Sequence, residues 1–228
     1  MGVAKKFSGW YSRIEGPDGA GKTSVLNLAR EYAEKHNIPV LFIREPGTGD
    51  FGELMRDLLL HNTKYDLSPQ TEYALLTANR THLVSDVIVP SIEKGVTVIS
   101  DRGIESSIAM QGGAAGAITA KTKGKFNSMS TRDIIEIGER MLPDYYMQPN
   151  GLVLLSLSKE ERRARMDAKA VSHGLDKIEQ RTLAYSDAVH DGYIALESLP
   201  HATVINAEQP LDKVWEQARP ILFGPDHA

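Results

Sequence analysis

Gly16-Pro17-Asp18-Gly19-Ala20-Gly21-Lys22-Thr23 fills every fixed position of the pattern G-x-x-x-x-G-K-[ST]. Glycines let the backbone curl until consecutive N–H groups point inward at an anion, and a helix opening at the end of the loop adds its positive dipole end. The run from Trp10 to Ile14 before the loop leans apolar and predicts a buried strand. Ser24-Val25-Leu26-Asn27-Leu28-Ala29-Arg30 after it has helical spacing. Strand, glycine loop and helix in that order predict a phosphate-binding loop in an α/β fold. Gly16, Asp18, Gly19, Ala20, Gly21, Lys22, Thr23 and Ser24 are then the candidate contacts for a nucleoside triphosphate or another phosphorylated ligand. In such loops the lysine, here Lys22, reaches the β/γ-phosphates, and the hydroxyl of Thr23 ligates Mg²⁺.

Four more apolar runs follow. They are Pro39 to Ile43, Val96 to Ser100, Leu152 to Leu157 and Ala202 to Ile205. Continuous apolar runs separated by amphipathic helices describe a parallel sheet covered on both faces. The expectation is an α/β protein with a five-stranded parallel sheet flanked by helices. A polar helix ends near His36-Asn37, and a long helical region spans about 51 to 94, with Pro69 suited to a first helical turn. Gly112 through Asn127 is small, polar and lysine-bearing and reads as a mobile loop. With no linker, repeat or low-complexity tract, residues 1–228 read as a single domain.

Composition narrows the partners. The chain carries a net charge of −4, with 25% charged and 41% hydrophobic residues, an ordinary globular balance. A surface for nucleic acid needs a basic excess that is missing here, so no nucleic-acid partner is expected. There is no cysteine, which excludes disulfides and thiolate chemistry and suits a reducing cytoplasm. No apolar run approaches membrane-spanning length, and Met1 to Lys6 is too short and polar for a signal peptide, so neither membrane nor secretion is expected. The seven histidines lack metal-ligand spacing, and no zinc site is expected.

The chemistry narrows further through three segments that follow predicted strands. Arg44-Glu45-Pro46-Gly47 with Gly52-Glu53 follows the second. Asp101-Arg102 ends the third, and Ser106-Ser107-Ile108-Ala109-Met110-Gln111-Gly112 comes next. In open parallel sheets, ligands sit beyond the carboxyl ends of the strands, so these segments and the phosphate loop share one crevice.

Together with Thr71-Glu72 through Ala78-Asn79-Arg80 and Asp176-Lys177-Ile178-Glu179, these segments resemble the thymidylate kinases of the nucleoside monophosphate kinase group, from Ile14 to about Leu196. The resemblance implies γ-phosphoryl transfer from ATP to a deoxynucleoside monophosphate, foremost dTMP, with a helical lid at about 166–178. It implies that Arg102 holds the acceptor phosphate with Arg44 near it, a task suited to a planar guanidinium fork. Asp101 stands where the family has a carboxylate near Mg²⁺, and Asp18 where one contacts the acceptor sugar. Pro46, Leu76, Arg80, Ser107, Met110 and Gln111 fall in the nucleoside pocket, with Arg80, Ser107 and Gln111 left to read the base edge. Glu45-Pro46 is implied to be a cis peptide. In the family, an arginine in the loop or arginines in the lid complete the site. Here Gly19 holds the loop position, so the lid supplies the charge through Lys169, His173 and Lys177, with Lys177 standing where the lid arginine would. Arg165 lies where an arginine borders the adenine, and is equally an i,i+4 partner of Glu161. Homodimers are common in the family, and the helix around Thr71 to Glu93 offers a face for one.

Three positions depart from the family pattern. Leu76 replaces the phenylalanine that stacks on thymine, losing about 0.5–1.5 kcal/mol of ring stacking. Gly103 replaces a ring after Asp101-Arg102, and Met110 replaces the tyrosine near the sugar's 2′ side. All three are expected to shrink or soften the pocket walls. One reading keeps dTMP as substrate in a looser pocket. A second re-tunes the base, for example to a 5-substituted dUMP or to several bases, with weaker ribose discrimination. A third, outside enzymology, is an ATP-binding switch.

Overall fold

The structure is a computed structural model that describes residues 7–61, 64–65, 67–114, 117, 129–173, 182–225 and 227. Tyr11–Glu15 (β1), Val40–Arg44 (β2), Thr97–Asp101 (β3), Gly151–Ser156 (β4) and Ala202–Asn206 (β5) form a five-stranded sheet of order β2-β3-β1-β4-β5. Every neighbouring pair is parallel, as both-face burial requires. The predicted strands are all present, displaced by a residue or so. Ladder pairing sets their ends, not apolarity. Arg44 pairs with Asp101, and Glu15 with Leu154. Each of these strands therefore ends in a polar residue at its carboxyl terminus, where the crevice opens.

Alternate residues of each strand enter different cores. Tyr11, Val98 and Leu154 belong to one, and Ile14, Ile99, Val153 and Leu155 to the other. Each fully buried aliphatic side chain contributes about 1.5–3 kcal/mol. On the second face lie Lys22–His36 (α1), which buries Val25, Leu26, Ala29 and Ala33 at helical spacing, and the C-terminal helix Leu211–Phe223. The first face carries the helices that shape the site. Gly49–Arg56 (α2) runs into a π-helical turn, Asp57–His61. Pro69–Leu83 (α3) opens on Ser68, whose side chain accepts from Thr71 N, with Pro69 in its first turn as expected. It continues through a π turn, Val84–Ile88, into Val89–Glu93 (α4). Pro90 falls in the first turn of α4, where its missing N–H costs little. The long predicted helix is thus present, and the 51–94 region breaks before Pro69.

After β3 come Ile104–Ser107 (α5) and a π-helical turn, Ile108–Gly113. Further on lie Thr131–Met141 (α6), Asp144–Met147 (α7), Lys159–His173 (α8) and Leu183–Leu196 (α9). The expected loop at 112–127 needs correction at its start. Gly112 and Gly113 belong to the π-helical turn, where a Cβ on Gly113 would lie 3.0 Å from Gly192 Cα on α9. Close crossing explains those glycines better than loop freedom does. Most of the remainder of that segment lies outside the described residues. Among the described residues no helix is long and apolar enough to cross a membrane.

Candidate active site

The phosphate loop joins β1 to α1. Gly16, Gly19 and Gly21 have φ of 141°, 87° and 90°, a region costly for any side chain. Gly19 also marks where the helix Lys159–His173 comes within ordinary contact distance. A Cβ there would meet Arg162 O at 3.4 Å and Arg165 Cβ at 3.5 Å, because α8 lies against the loop. No side chain caps α1, so its first-turn N–H groups remain for an anion. Thr23 and Ser24 lie on that turn and are exposed. Lys22 is buried and folds back, donating to Gly16 O at 2.7 Å and Pro17 O at 3.0 Å. Burial first, then the nearby Arg102, push its pKa down to about 8.

Arg102 occupies the turn after β3 with φ of 76°, a strained conformation for a non-glycine residue, costing about 1–3 kcal/mol. Its side chain is fastened on several sides. One end donates to Asp18 Oδ1 in the phosphate loop. The other donates to Tyr193 Oη at 2.8 Å, Ser106 Oγ at 3.1 Å and Gly16 O at 3.5 Å. Burial opposes its charge, but Tyr193, Asp18 and Glu15 outweigh burial and raise its pKa. Burial likewise opposes the charge on Asp18, yet Arg102 and then Lys22 hold its carboxyl below the usual aspartate range. The costly loop carboxylate therefore already has a protein partner.

Beside this pair lies a cavity of about 210 Å³. Asp18, Pro46, Leu76, Arg80, Arg102, Ser107, Met110 and Gln111, all picked out in the sequence, line it. Arg80 is buried and donates to Glu45 Oε2 at 3.2 Å, Ser107 Oγ at 2.9 Å and Gly103 O at 2.7 Å. Gln111 Nε2 donates to Glu72 Oε2 at 3.1 Å, while its Oε1 is buried with no partner among the described residues. The Glu45–Pro46 peptide is cis, as implied.

Two expectations need correction. Arg44 is not among the lining residues. It pairs with Glu53 at 2.8 Å on the surface, and Arg56 lines the cavity instead. Arg56 sits one helical turn beyond Gly52-Glu53 on α2, which turns it inward. Gly103 is not in the cavity wall either. It lies beneath, against Arg13, so only Leu76 and Met110 of the three departures soften the walls.

The remaining predicted residues fall as follows. Asp101 closes β3, with Oδ1 buried and without a partner among the described residues. Arg165 makes the i,i+4 pair with Glu161, donating to its Oε1 at 2.7 Å, and also donates to the loop's Gly19 O at 3.3 Å. Lys169 lines the same cavity. The side chain of His173 and all of Lys177 lie outside the described residues.

Sequence reasoning missed a group of buried supporters. Glu15 accepts from Gly103 N at 2.6 Å, Ser106 N at 3.2 Å and Tyr193 Oη at 3.1 Å. Burial, then Glu105, raise its pKa. A charged residue closing an apolar strand beside Gly16 was a legible signal. Glu45 is buried between Arg80 and the Tyr146 hydroxyl at 2.5 Å. Nothing local marks Tyr193 or Tyr146, which arrive from distant helices.

A family model described as thymidylate kinase matches residues 14–218. The chain belongs to the thymidylate kinase family. A thymidylate kinase of Clostridium novyi is 30% identical over 216 residues, 94% of this chain and 98% of the relative. One from Kosmotoga olearia is 33% identical over 209 residues, covering 91% and 92%. One from Lactobacillus acidophilus is 32% identical over 216 residues, covering 92% of each. Thymidylate kinases are phosphotransferases that use ATP, and the phosphate loop facing a second, arginine-bearing cavity is an arrangement suited to that work.

Proposed function

We propose that this protein transfers the γ-phosphoryl group of ATP to the 5′-phosphate of dTMP, releasing ADP and dTDP. The observation that carries the reading is Arg102, a fastened guanidinium standing between the phosphate loop and the cavity. Two anions must meet for the reaction, and catalysis consists largely of positioning and neutralising them. An oxygen of the acceptor phosphate forms a bond to the γ-phosphorus as the bond to the β,γ-bridging oxygen breaks, and ADP leaves with that electron pair. Lys22 and the first-turn N–H groups of α1 hold the donor phosphates. Arg102 holds the acceptor phosphate with its planar fork. Lys169 adds positive charge from α8 at the cavity edge. Leu76 and Met110 flank the base, and Arg80, Ser107 and Gln111 meet its edge.

The unpartnered Oδ1 of Asp101 fits a hard cation together with Thr23, since Mg²⁺ is commonly held by one or two protein oxygens plus phosphates. Bound there, Mg²⁺ would offset charge on the transferred group. The kinase unit spans residues 1–228 with a lid at about 166–178 in which Lys177 replaces an arginine. It works in the cytoplasm as a homodimer, with no nucleic-acid or membrane partner.

A second reading, a broadened or shifted base preference, is favoured by Leu76 and Met110 in the cavity wall. Both readings are tested by ADP release with ATP and Mg²⁺ over dTMP, dUMP, 5-hydroxymethyl-dUMP, dCMP, dGMP, dAMP and UMP. A rate on dTMP far above the rest is expected. Preference for another base establishes the second reading, and ATP binding with no turnover on any acceptor leaves an ATP-binding switch.

A further inference from the structure

Arg13 sits on the central strand of the sheet, wholly buried. Strand alternation places Tyr11, Arg13 and Glu15 on the same face. Arg13 does not line the acceptor cavity. Its Nη2 meets Glu105 Oε1 at 2.8 Å and Met147 O at 3.4 Å. Its guanidinium carbon lies 4.9 Å from the centre of the Tyr146 ring. A buried ion pair is costly to desolvate, and often no more stable than apolar residues of similar volume. Its place in the fold suggests what it does.

Gly103 rests directly on this pair. A Cβ there would fall 2.5 Å from Arg13 Cδ, 2.8 Å from Arg13 Nη1 and 3.0 Å from Glu105 Oε2. Its φ of −166° lies outside the left-handed region, and the space against Arg13 and Glu105 is what a side chain there would lack. Arg13 Cδ lies mid-chain in a buried side chain and has little freedom to yield. The Gly103 peptide in turn ties together both cavity arginines. Its N–H donates to Glu15, which also accepts from the Ser106 and Tyr193 groups holding Arg102. Its carbonyl accepts from Arg80 Nη2 at 2.7 Å. Glu105 sits on α5 just ahead of Ser106 and Ser107, the hydroxyls that bond Arg102 and Arg80.

We propose that the buried Arg13–Glu105 pair, seated under Gly103, is a positioning unit that sets Arg80 and Arg102 for the acceptor nucleotide. This rests on the kinase reading above. Neither residue touches substrate. The unit acts through the Gly103 peptide and α5, and it requires a residue without a side chain at 103.

The test is a double-mutant cycle between Gly103→Ala and the joint replacement Arg13→Val with Glu105→Leu, which removes both charges and the clashing Cδ. Each protein is assayed for KM toward dTMP, KM toward ATP, and melting temperature. Gly103→Ala alone should lower kcat/KM for dTMP by about 10- to 100-fold, the scale of a small misplacement in a site. KM for ATP should be unchanged and the melting temperature lowered. In the background carrying the joint replacement, where dTMP is already bound poorly, the alanine should cost little further activity and little melting temperature. Equal losses from the alanine in both backgrounds would overturn the proposal, as would unaltered dTMP kinetics in the protein carrying the joint replacement alone. If that protein fails to fold, Arg13→Lys decides. Lysine retains the charge and should recover most dTMP affinity, whereas a rise in both KM values together would overturn the positioning role. A wild-type protein idle on dTMP would defeat the kinase reading instead, and the melting cycle would still decide the packing claim.

Discussion

On the proposed acceptor side, Arg80 and Arg102 are both held by protein groups. Arg80 rests on Glu45, Ser107 and Gly103, and Arg102 on Asp18, Ser106 and Tyr193. On the proposed donor side, Lys22 has, among the described residues, only the loop's own carbonyls at hydrogen-bond distance, with Asp18 Oδ1 at 4.0 Å. The acceptor half is preorganised, so its geometry is tied to folding. On the proposed reading, the donor half is assembled around an ammonium that leaves the loop carbonyls to meet phosphate. Damage to the first should appear in stability and acceptor binding together, and damage to the second in turnover.

Glu45→Ala gives the largest effect and tests the first half. It strands Arg80 as a buried, underpaired cation, for an expected loss of about 3–5 kcal/mol of folding stability, read as the urea midpoint. Unfolding like wild type would erase the distinction. Lys22→Met tests the other half. It should lower kcat by about 10²–10³-fold while the melting temperature holds or rises, because a desolvated ammonium is removed. A large loss of stability there would mean that Lys22 is structural.

The depressed pKa of Lys22 supplies a milder probe. Below about 8 the ammonium is charged and attracts phosphate. Above it the free enzyme loses that charge, so kcat/KM for ATP should fall by about tenfold per pH unit. The sign for stability is opposite. The folded state releases this proton before the unfolded chain does, so folding gains stability from about 8 up to the ordinary lysine value. A profile for ATP flat to about pH 10, near the ordinary lysine value, would refute the assignment. Smallest is Tyr193→Phe, which removes one hydroxyl from Arg102. It should raise KM for dTMP a few-fold, as a single hydrogen bond of about 0.5–1.5 kcal/mol implies, and leave KM for ATP alone. Equal changes in both would blur the two halves into one.

The phosphate loop, the five strands and most of the cavity lining were legible in the sequence. Glycine spacing, continuous apolar runs and motifs after strands all depend on short stretches of chain, where local sterics and periodicity act. Arg44 illustrates the limit. A cation after a strand is visible in sequence, but whether it turns to the cavity or to Glu53 depends on the path of α2, and Arg56 took the place. Gly103 is clearer still. Its letters suggest a softened pocket wall, yet its cause is Arg13, far earlier in the chain and on the neighbouring strand β1. Tyr193 and Tyr146 likewise meet Arg102 and Glu45 only after distant helices pack. The sequence by itself determined a phosphate-binding α/β protein and the crevice in which its polar motifs gather. The tertiary structure decided which cations are held, by which carboxylates and at what burial, because those pairings join residues whose separation along the chain carries no periodic signal.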